Sequence, residues 1–406
     1  METVKKKLPP AYFGLKILEN VAINAMHTQV PRSSNQALRN GYLAIDTPLI
    51  DTDNRKRLQL PMPITIKDVA RESGVNTSTV SRALNNGYGV NDETRKHVME
   101  VAIRLNYRTN QVARGLVTGR SQTIGLVVSD IRNPFFAEVA RGAEDAAYRA
   151  GRDLVLCNSD LTAEKQMGYF DSLLAKRVDG IVMNSVAALS RAQQDQIWAA
   201  GVPIVLLNRS SVYRRFSSVL GDNLQGGEIA GNYLIDLGHT QVIHITGPRT
   251  HGNLTDRAKG FLKAFHERGL REPAIIYGEH TFAGGYQSAN QLLGSARRIT
   301  AIFAGNDVLA FGCIRAAIEK GIRIPDDLSI IGFDNVEMSQ ITNPPLTTID
   351  QPKYEIGKAA IEMLLNIMAK ADIPEPEHRV IGVRLIERQS CRRIADSASN
   401  RGSAKH

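Results

Sequence analysis

From Thr123 onward the hydrophobic positions fall in short runs: TIGLVVS, DLVLCNS, DGIVMN, VPIVLLN, QVIHITG, AIIYG, AIFAGND and LSIIGFDN. Each run is apolar at consecutive positions, the pattern of a strand covered by helices on both faces. Segments of helical period such as FFAEVARGAEDAAYRAG lie between them. This alternation predicts parallel α/β architecture. Polar residues cluster just past the run ends, at Ser129-Asp130, Asn208-Arg209, Asn306-Asp307 and Asp334-Asn335, where open α/β sheets bind ligands.

Upstream the period changes. In TIKDVARESGVNTSTVSRALN, Thr65 to Asn85, Thr65 and Asp68 have capping-box spacing, Val69 and Ala70 supply a buried side, and Ser73-Gly74 ends a first helix. Asn76 caps a second, on which Val80, Ala83 and Leu84 share one side. Thr77, Ser78, Ser81 and Arg82 share the other. Short hydroxyls and a forked guanidinium suit base edges in the DNA major groove, although a plain helical hairpin has the same outline. A third helix starts at Asn91, with Val98, Val101, Ala102 and Leu105 at helical spacing, and stops at Asn106-Tyr107. Asn110 then opens QVARGLVT, a linker of helical pattern in which Gly115 costs roughly 1 kcal/mol of helix propensity.

Charge sharpens this division. Residues 1–61 and 62–121 each hold nine Lys/Arg against five Asp/Glu, and 122–406 hold 32 against 31. A basic headpiece on a near-neutral body suits a phosphate-facing module carried by something with another task. Cys157, Cys313 and Cys391 have no CxxC spacing or matching histidines, so neither a metal site nor a disulfide framework is implied. The start, METVKKKLPP, is basic but leads into no long apolar core; no signal peptide or membrane span is expected, and the location expected is cytoplasmic. Residues 1–61 have no sustained period. Met62 stands three residues before the first cap, and the expectation is that it is the natural start, with residues 1–61 a mis-called or dispensable extension. No Walker loop, GxGxxG, GxSxG or metal-ligand spacing marks an enzyme.

The order of two capped helices, third helix, ARGL-type linker and about 270 residues of α/β resembles the lactose-repressor family of bacterial transcription regulators. The resemblance covers Pro63 to about Arg388 and rests on TIKDVARESGVNTSTVSRALN, NYRTNQVARGL, SDIRNPFFAEVARGAEDAA, KRVDGIVM, GHTQVIHITGP, IFAGNDVLAFGCIRAA and LSIIGFDN…PPLTTIDQP. YLIDLGHT and TFAGGYQSANQLL look most like its ribose-repressor members. It implies a helix-turn-helix headpiece (62–109), a hinge helix and linker (110–121) and a two-lobed, doubly wound body like that of periplasmic sugar-binding proteins (122–388), while the composition outside it reads as a poorly defined extension (1–61) and a basic disordered tail (389–406).

The resemblance also assigns residues. Thr77, Ser78 and Arg82 match base-reading positions, Thr65, Asn76, Thr79 and Asn85 match phosphate-contacting ones, and Leu116 matches a leucine wedged into the minor groove. Effector contacts map onto Asn133, Phe135, Phe136, Asn208, Arg209, Arg257, Phe282, Asn306, Asp334 and Gln351. Aromatic faces there would stack on a sugar's C–H side, and the polar groups would satisfy its hydroxyls. Gly115 departs from the serine or glutamine usual beside the hinge leucine, and Asn208 from the aspartate usual in ribose-type sites. No cofactor is implied.

The function implied is a repressor that holds a palindromic operator as a homodimer and is released when a small sugar, pentose or hexose, closes the lobes. A ligand-strengthened regulator uses the same lobes, so the sign stays open, and a sugar-binding protein without DNA function is the third reading.

Overall fold

A computed structural model describes residues 64–108, 115, 119–184, 189–208, 215–296, 298–370 and 374–394. The expected extension, most of the hinge with Leu116, and Arg209 lie outside these residues.

The headpiece consists of α1 (Ile66–Ser73), α2 (Thr77–Leu84) and α3 (Asp92–Arg104). Asp68 accepts from the Thr65 backbone N–H at 3.0 Å and from its hydroxyl at 2.7 Å, so the first turn is capped as the spacing predicts. Gly74 ends α1 at φ +67°, a left-handed value that glycine adopts without a Cβ clash. Val69, Ala70, Val80, Ala83, Val98, Val101 and Ala102 form one core. Leu84 and Leu105 pack against it partly buried.

The body is two sheets. The first has the order β2-β1-β3-β4-β5-β11, from β1 (Thr123–Val128), β2 (Asp153–Asn158), β3 (Gly180–Asn184), β4 (Ile204–Leu207), β5 (Ser217–Gly221) and β11 (His378–Ile381). All its pairs are parallel; Ile124, for example, faces Leu154 on one side and Gly180 on the other. The second repeats the plan as β7-β6-β8-β9-β10-β12, from β6 (Val242–Thr246), β7 (Ala274–Tyr277), β8 (Ala301–Ala304), β9 (Ser329–Asp334), β10 (Thr347–Asp350) and β12 (Arg384–Ile386). Only β12 runs antiparallel in it. All eight apolar runs are strands, but DLVLCNS and AIIYG are not covered on both faces. They form the outer edges β2 and β7, where Leu156 and Tyr277 stay exposed. The short, hydroxyl-rich β5 and β10 were not among the predicted runs.

The helices on these sheets are α4 (Pro134–Arg149), α5 (Ala163–Ala175), α6 (Arg191–Ala199), α7 (Asn223–Asp236), α8 (Gly252–Glu267), α9 (Phe282–Leu293), α10 (Asp307–Glu319) and α11 (Lys353–Met368). Two are exchanged. Helix α7 follows β5 of lobe 1 but packs on α8, β10 and β12 of lobe 2, whereas α11 follows β10 of lobe 2 but packs on α4 and β3–β5 of lobe 1. With β11 returning to lobe 1 and β12 to lobe 2, the chain crosses between lobes at 221–223, 350–353 and 381–384. The exchanged helices sit tightly on their partners: a Cβ on Gly357 would lie 1.9 Å from the Val139 carbonyl oxygen, and one on Gly260 1.9 Å from that of Leu224.

Residues 389–394, expected to open a disordered tail, are ordered. Ser390 is fully buried, its carbonyl accepts from the Ile330 N–H at 2.9 Å, and Ile394 N–H donates to the Leu237 carbonyl at 2.9 Å. His239 Nε2 lies 3.0 Å from the Arg392 carbonyl. Residues 389–394 belong to lobe 2 through backbone pairing, which their polar composition conceals; 395–406 lie outside the described residues.

Candidate functional site

Two sets of residues carry the candidate chemistry. On α2, Thr77, Ser78 and Arg82 are exposed while Val80 and Ala83 face the core. Arg82 has no ion-pair partner among the described residues, and Gly87 packs at its base, where a Cβ would lie 3.3 Å from the Arg82 Cα, Cβ and Cγ. Asn76 caps the helix: its Oδ1 accepts from the Thr79 N–H at 2.8 Å and from the Ser78 and Thr79 hydroxyls at 2.6 and 2.9 Å. Ser78 thus spends its proton on the cap and presents oxygen lone pairs outward. Asn85 Nδ2 donates to the Ser81 carbonyl at 2.8 Å, fastening the far end. Sequence reasoning missed Arg95. Its guanidinium donates to the carbonyls of Ala83 (3.0 Å) and Gly87 (3.1 Å) and to Asn86 Oδ1 (3.2 Å), fixing the exit of α2 from α3.

The second set lines a cleft at the C-terminal ends of both sheets. Lobe 1 contributes Ser129, Asp130, Asn133, Phe135, Phe136, Asn184 and Asn208. Asn133 is the N-cap of α4, accepting from the Phe135 N–H at 3.0 Å, and Phe135 and Phe136 meet edge to face at 5.0 Å. Asn208 Nδ2 donates to Asn184 Oδ1 at 3.2 Å, and Asn184 Nδ2 to the Ser129 hydroxyl at 2.8 Å. Asp130 is held by Arg132.

Lobe 2 contributes Arg257, Asp334, His251, Asn253 and His280. Arg257 Nε donates to Asn223 Oδ1 at 2.8 Å, Nη1 to the Gly305 carbonyl, and Nη2 lies 3.5 Å from Asp334 Oδ1. Its guanidinium carbon sits 3.7 Å from the Phe333 ring centroid. Asp334 also accepts from Gln351 Nε2 at 2.7 Å, and the Asn133 side chain across the cleft favours its charged form. Burial pushes the Asp334 carboxyl up and the Arg257 cation down, and each opposes the shift of the other. Beneath them Asp307 accepts from the Thr348 hydroxyl at 2.6 Å and the Val336 N–H at 2.8 Å; burial and the Asp334 charge push it to about 8.

The cleft brings together six expected effector residues: Asn133, Phe135, Phe136, Asn208, Arg257 and Asp334. Asn306 and Gln351 stand behind it, almost fully buried, the first as N-cap of α10 and the second on Asp334. Phe282 does not line it and is 47% exposed at the start of α9. His280, two residues earlier, takes the place on the wall. The rule that polar residues follow strand ends reaches both His280 after AIIYG and Asn184 at the end of DGIVMN. Burial, with Arg257 and His251 nearby, pushes the His280 imidazole down to about 3, so it is neutral at pH 7. Its Nε2, Thr246 Oγ1 and Asn306 Nδ2 are buried without a hydrogen-bond partner at the C-terminal ends of the lobe 2 strands. Such orphans cost about 1–3 kcal/mol each where no polar partner meets them, and of the three His280 lines the cleft.

The free volume between these side chains is about 50 Å³, room for a few waters. A larger cavity of about 230 Å³ lies at the opposite end of the lobe 1 sheet, under Trp198, Phe216 and Met368. Its walls are largely apolar, and Arg215 there is paired with Asp195, so it lacks the convergent polar groups of the cleft. No group of three or more metal-ligating side chains occurs among the described residues, and no described helix is long and apolar enough to cross a membrane.

Comparison with known proteins finds matches to two family models and to relatives spanning most of the chain. Residues 65–110 match the model of bacterial regulatory proteins, lacI family, and residues 232–391 that of a periplasmic binding protein-like domain. Catabolite control protein A of Priestia megaterium is 37% identical over 326 residues, 79% of this chain and 98% of its own. The HTH-type transcriptional repressor PurR of Edwardsiella ictaluri is 37% identical over 80% of this chain and 96% of its own. The lac repressor dimer bound to operator and the anti-inducer ONPF superposes with a TM-score of 0.74 at 28% identity, over 81% of this chain and 99% of that one. A regulator from Enterococcus faecalis V583 with bound ribose gives 0.62 at 35% identity, over 67% and 100%.

Proposed function

We propose, from the premise that the chain belongs to the lacI family of bacterial regulatory proteins, that it is a cytoplasmic repressor with no enzymatic activity. Its homodimer holds a palindromic operator and is released by a small neutral sugar. The observation that carries the DNA half is the outward face of α2, where Thr77, Ser78 and Arg82 stand exposed on a helix capped at one end and strapped at the other. Arg82 reads a guanine edge, Thr77 and Ser78 take neighbouring edges, and Thr65, Asn76, Thr79 and Asn85 lie near the phosphates. Leu116, in the hinge between headpiece and body, is the minor-groove wedge.

For the ligand half, the support is the polar lining at the strand ends. Asn133, Asn208, His280 and Asp334 offer donors and acceptors to hydroxyls, and Phe135 and Phe136 offer apolar faces. Arg257 is committed to Asn223, Gly305 and Asp334, which favours a neutral sugar over its phosphate. A sugar ring exceeds the present free volume, so the lobes part to admit it and close again upon it.

The test is operator binding by the purified full-length chain, on a duplex selected from random sequence, with and without aldopentoses, aldohexoses and their phosphates. Release by a neutral sugar is expected. Tightening would assign the chain to the ligand-strengthened regulators, and indifference to every compound would sink the switch.

A further inference from the structure

We propose that Lys353 is the positioning residue that couples the cleft to lobe 1, an inference that rests on the sugar-switched reading above. Lys353 is the first residue of α11, at the second lobe crossing. It opens a helix that packs on lobe 1, yet its ammonium group reaches into lobe 2. Nζ donates to the carbonyls of Asp334 at 2.7 Å and Asn335 at 2.9 Å, and lies 3.6 Å from Asp350 Oδ1, with the side chain only 12% exposed.

The two carbonyls it grips belong to an unusual piece of backbone. Asp334 has φ 109° and Asn335 φ 51°, left-handed values that L side chains adopt at a cost and keep only where surroundings hold them. Asp334 is also the cleft carboxylate that meets Arg257 and Gln351. A shift of this carboxylate toward a ligand hydroxyl therefore moves the peptide that Lys353 holds.

On the other side, α11 is fixed to α4. A Cβ on Gly142 would fall 2.0 Å from the Tyr354 carbonyl oxygen, and the Tyr354 hydroxyl donates to Asp145 Oδ2 at 2.9 Å. Helix α4 begins at Asn133-Pro134-Phe135-Phe136, the lobe 1 wall of the cleft. The path from Asp334 through Lys353, α11 and α4 thus returns to the ligand pocket from the opposite lobe, so both walls move with one ammonium group between them.

The test uses full-length wild type, K353M, K353R and R384A. Arg384 is a control because it also bonds Asp350, from an exposed position outside the clamp. For each variant, neutral aldopentoses and aldohexoses are titrated against the protein to give sugar Kd. Operator Kd is then measured without sugar and at saturation. Wild type is expected to show an operator-affinity ratio of roughly 5–150-fold, and K353M a ratio within about twofold of one at a sugar Kd changed by less than about fivefold. K353R is expected to keep most of the ratio and R384A all of it. A K353M ratio equal to wild type, or an R384A loss as large as that of K353M, would overturn the inference and leave the sugar switch standing. Wild type insensitive to every sugar would remove both. If K353M does not fold by circular dichroism, K353Q is read against the same expectations.

Discussion

Arg257 Nη2 lies 3.5 Å from Asp334 Oδ1 with only 4% and 5% of the two side chains exposed. Neither charge has water to fall back on. Replacing Arg257 with Met leaves Asp334 buried and unpaired, a change expected to cost about 3–5 kcal/mol. Urea unfolding of R257M and of R257M with D334N separates the terms. The double variant should recover much of the loss, and equal stabilities for the two would count against a charge penalty.

Arg82 is exposed and without an ion-pair partner among the described residues, so R82A should leave folding intact. Specific operator binding should weaken by about 1–3 kcal/mol, concentrated at one base position of the half-site. G87A is a companion test. Its Cβ would lie 3.3 Å from the Arg82 backbone and stem, so it should disturb the same base position more weakly. A uniform loss over all sequences would reassign Arg82 to the phosphates.

The buried acid and imidazoles act on stability in opposite directions. Asp307, raised to about 8 in the fold, binds a proton that the unfolded chain releases near 4, so its contribution is lost as pH rises through about 8. His280 and His244, lowered to about 3 and about 4, resist a proton that the unfolded chain takes up near 6.5; their contribution is lost as pH falls below that value. Between about pH 6.5 and 8 the imidazole effects have faded and the Asp307 effect remains, beside that of Asp334, whose carboxyl burial also pushes up. Wild type should therefore lose melting temperature over that window, and D307N should lose less. Parallel pH series of thermal unfolding decide it; identical slopes would mean that Asp307 is ionised throughout.

Gly357→Ala tests the seating of α11 on α4. The added carbon would lie 1.9 Å from the Val139 carbonyl oxygen, and backbone must move at an expected cost of about 1–3 kcal/mol or more. Gly168 in α5 has open space around it, so Gly168→Ala should stabilise by about 0.4–1 kcal/mol. A G357A variant as stable as wild type would mean that the two helices separate freely.

What was legible in the chain follows the reach of each physical signal. Capping is local, so Thr65, Asn76 and Asn91 placed three helices from side chains within a few residues. Apolar runs placed eight strands, but which of them would lie at an edge depends on sheet order, which DLVLCNS and AIIYG do not state. Backbone-built parts left little trace, since the polar β5 and β10 and the stretch Gln389 to Ile394 owe their places to carbonyl and amide partners far along the chain. In the cleft, the strand-end rule found Asn208 and Asp334, whereas Asn133, Arg257 and Phe282 were assigned only through the family resemblance. The helix start turned the Phe282 ring outward and left His280 on the wall. Arg95 and Lys353 carry no local signature because their partners are carbonyls.

The exchanged helices also set a schedule for synthesis. Lobe 1 lacks α11 and β11 until residue 381 has been made, about 160 residues after β5 ends at Gly221. At roughly 5–20 residues per second that wait is about 8 to 32 s, during which the lobe 1 faces of α4 and β3–β5 have no cover. A nascent chain stalled inside lobe 2 therefore holds no finished lobe, and among the described parts the headpiece, with its own core between Val69 and Ala102, is the first that can stand complete outside the ribosome.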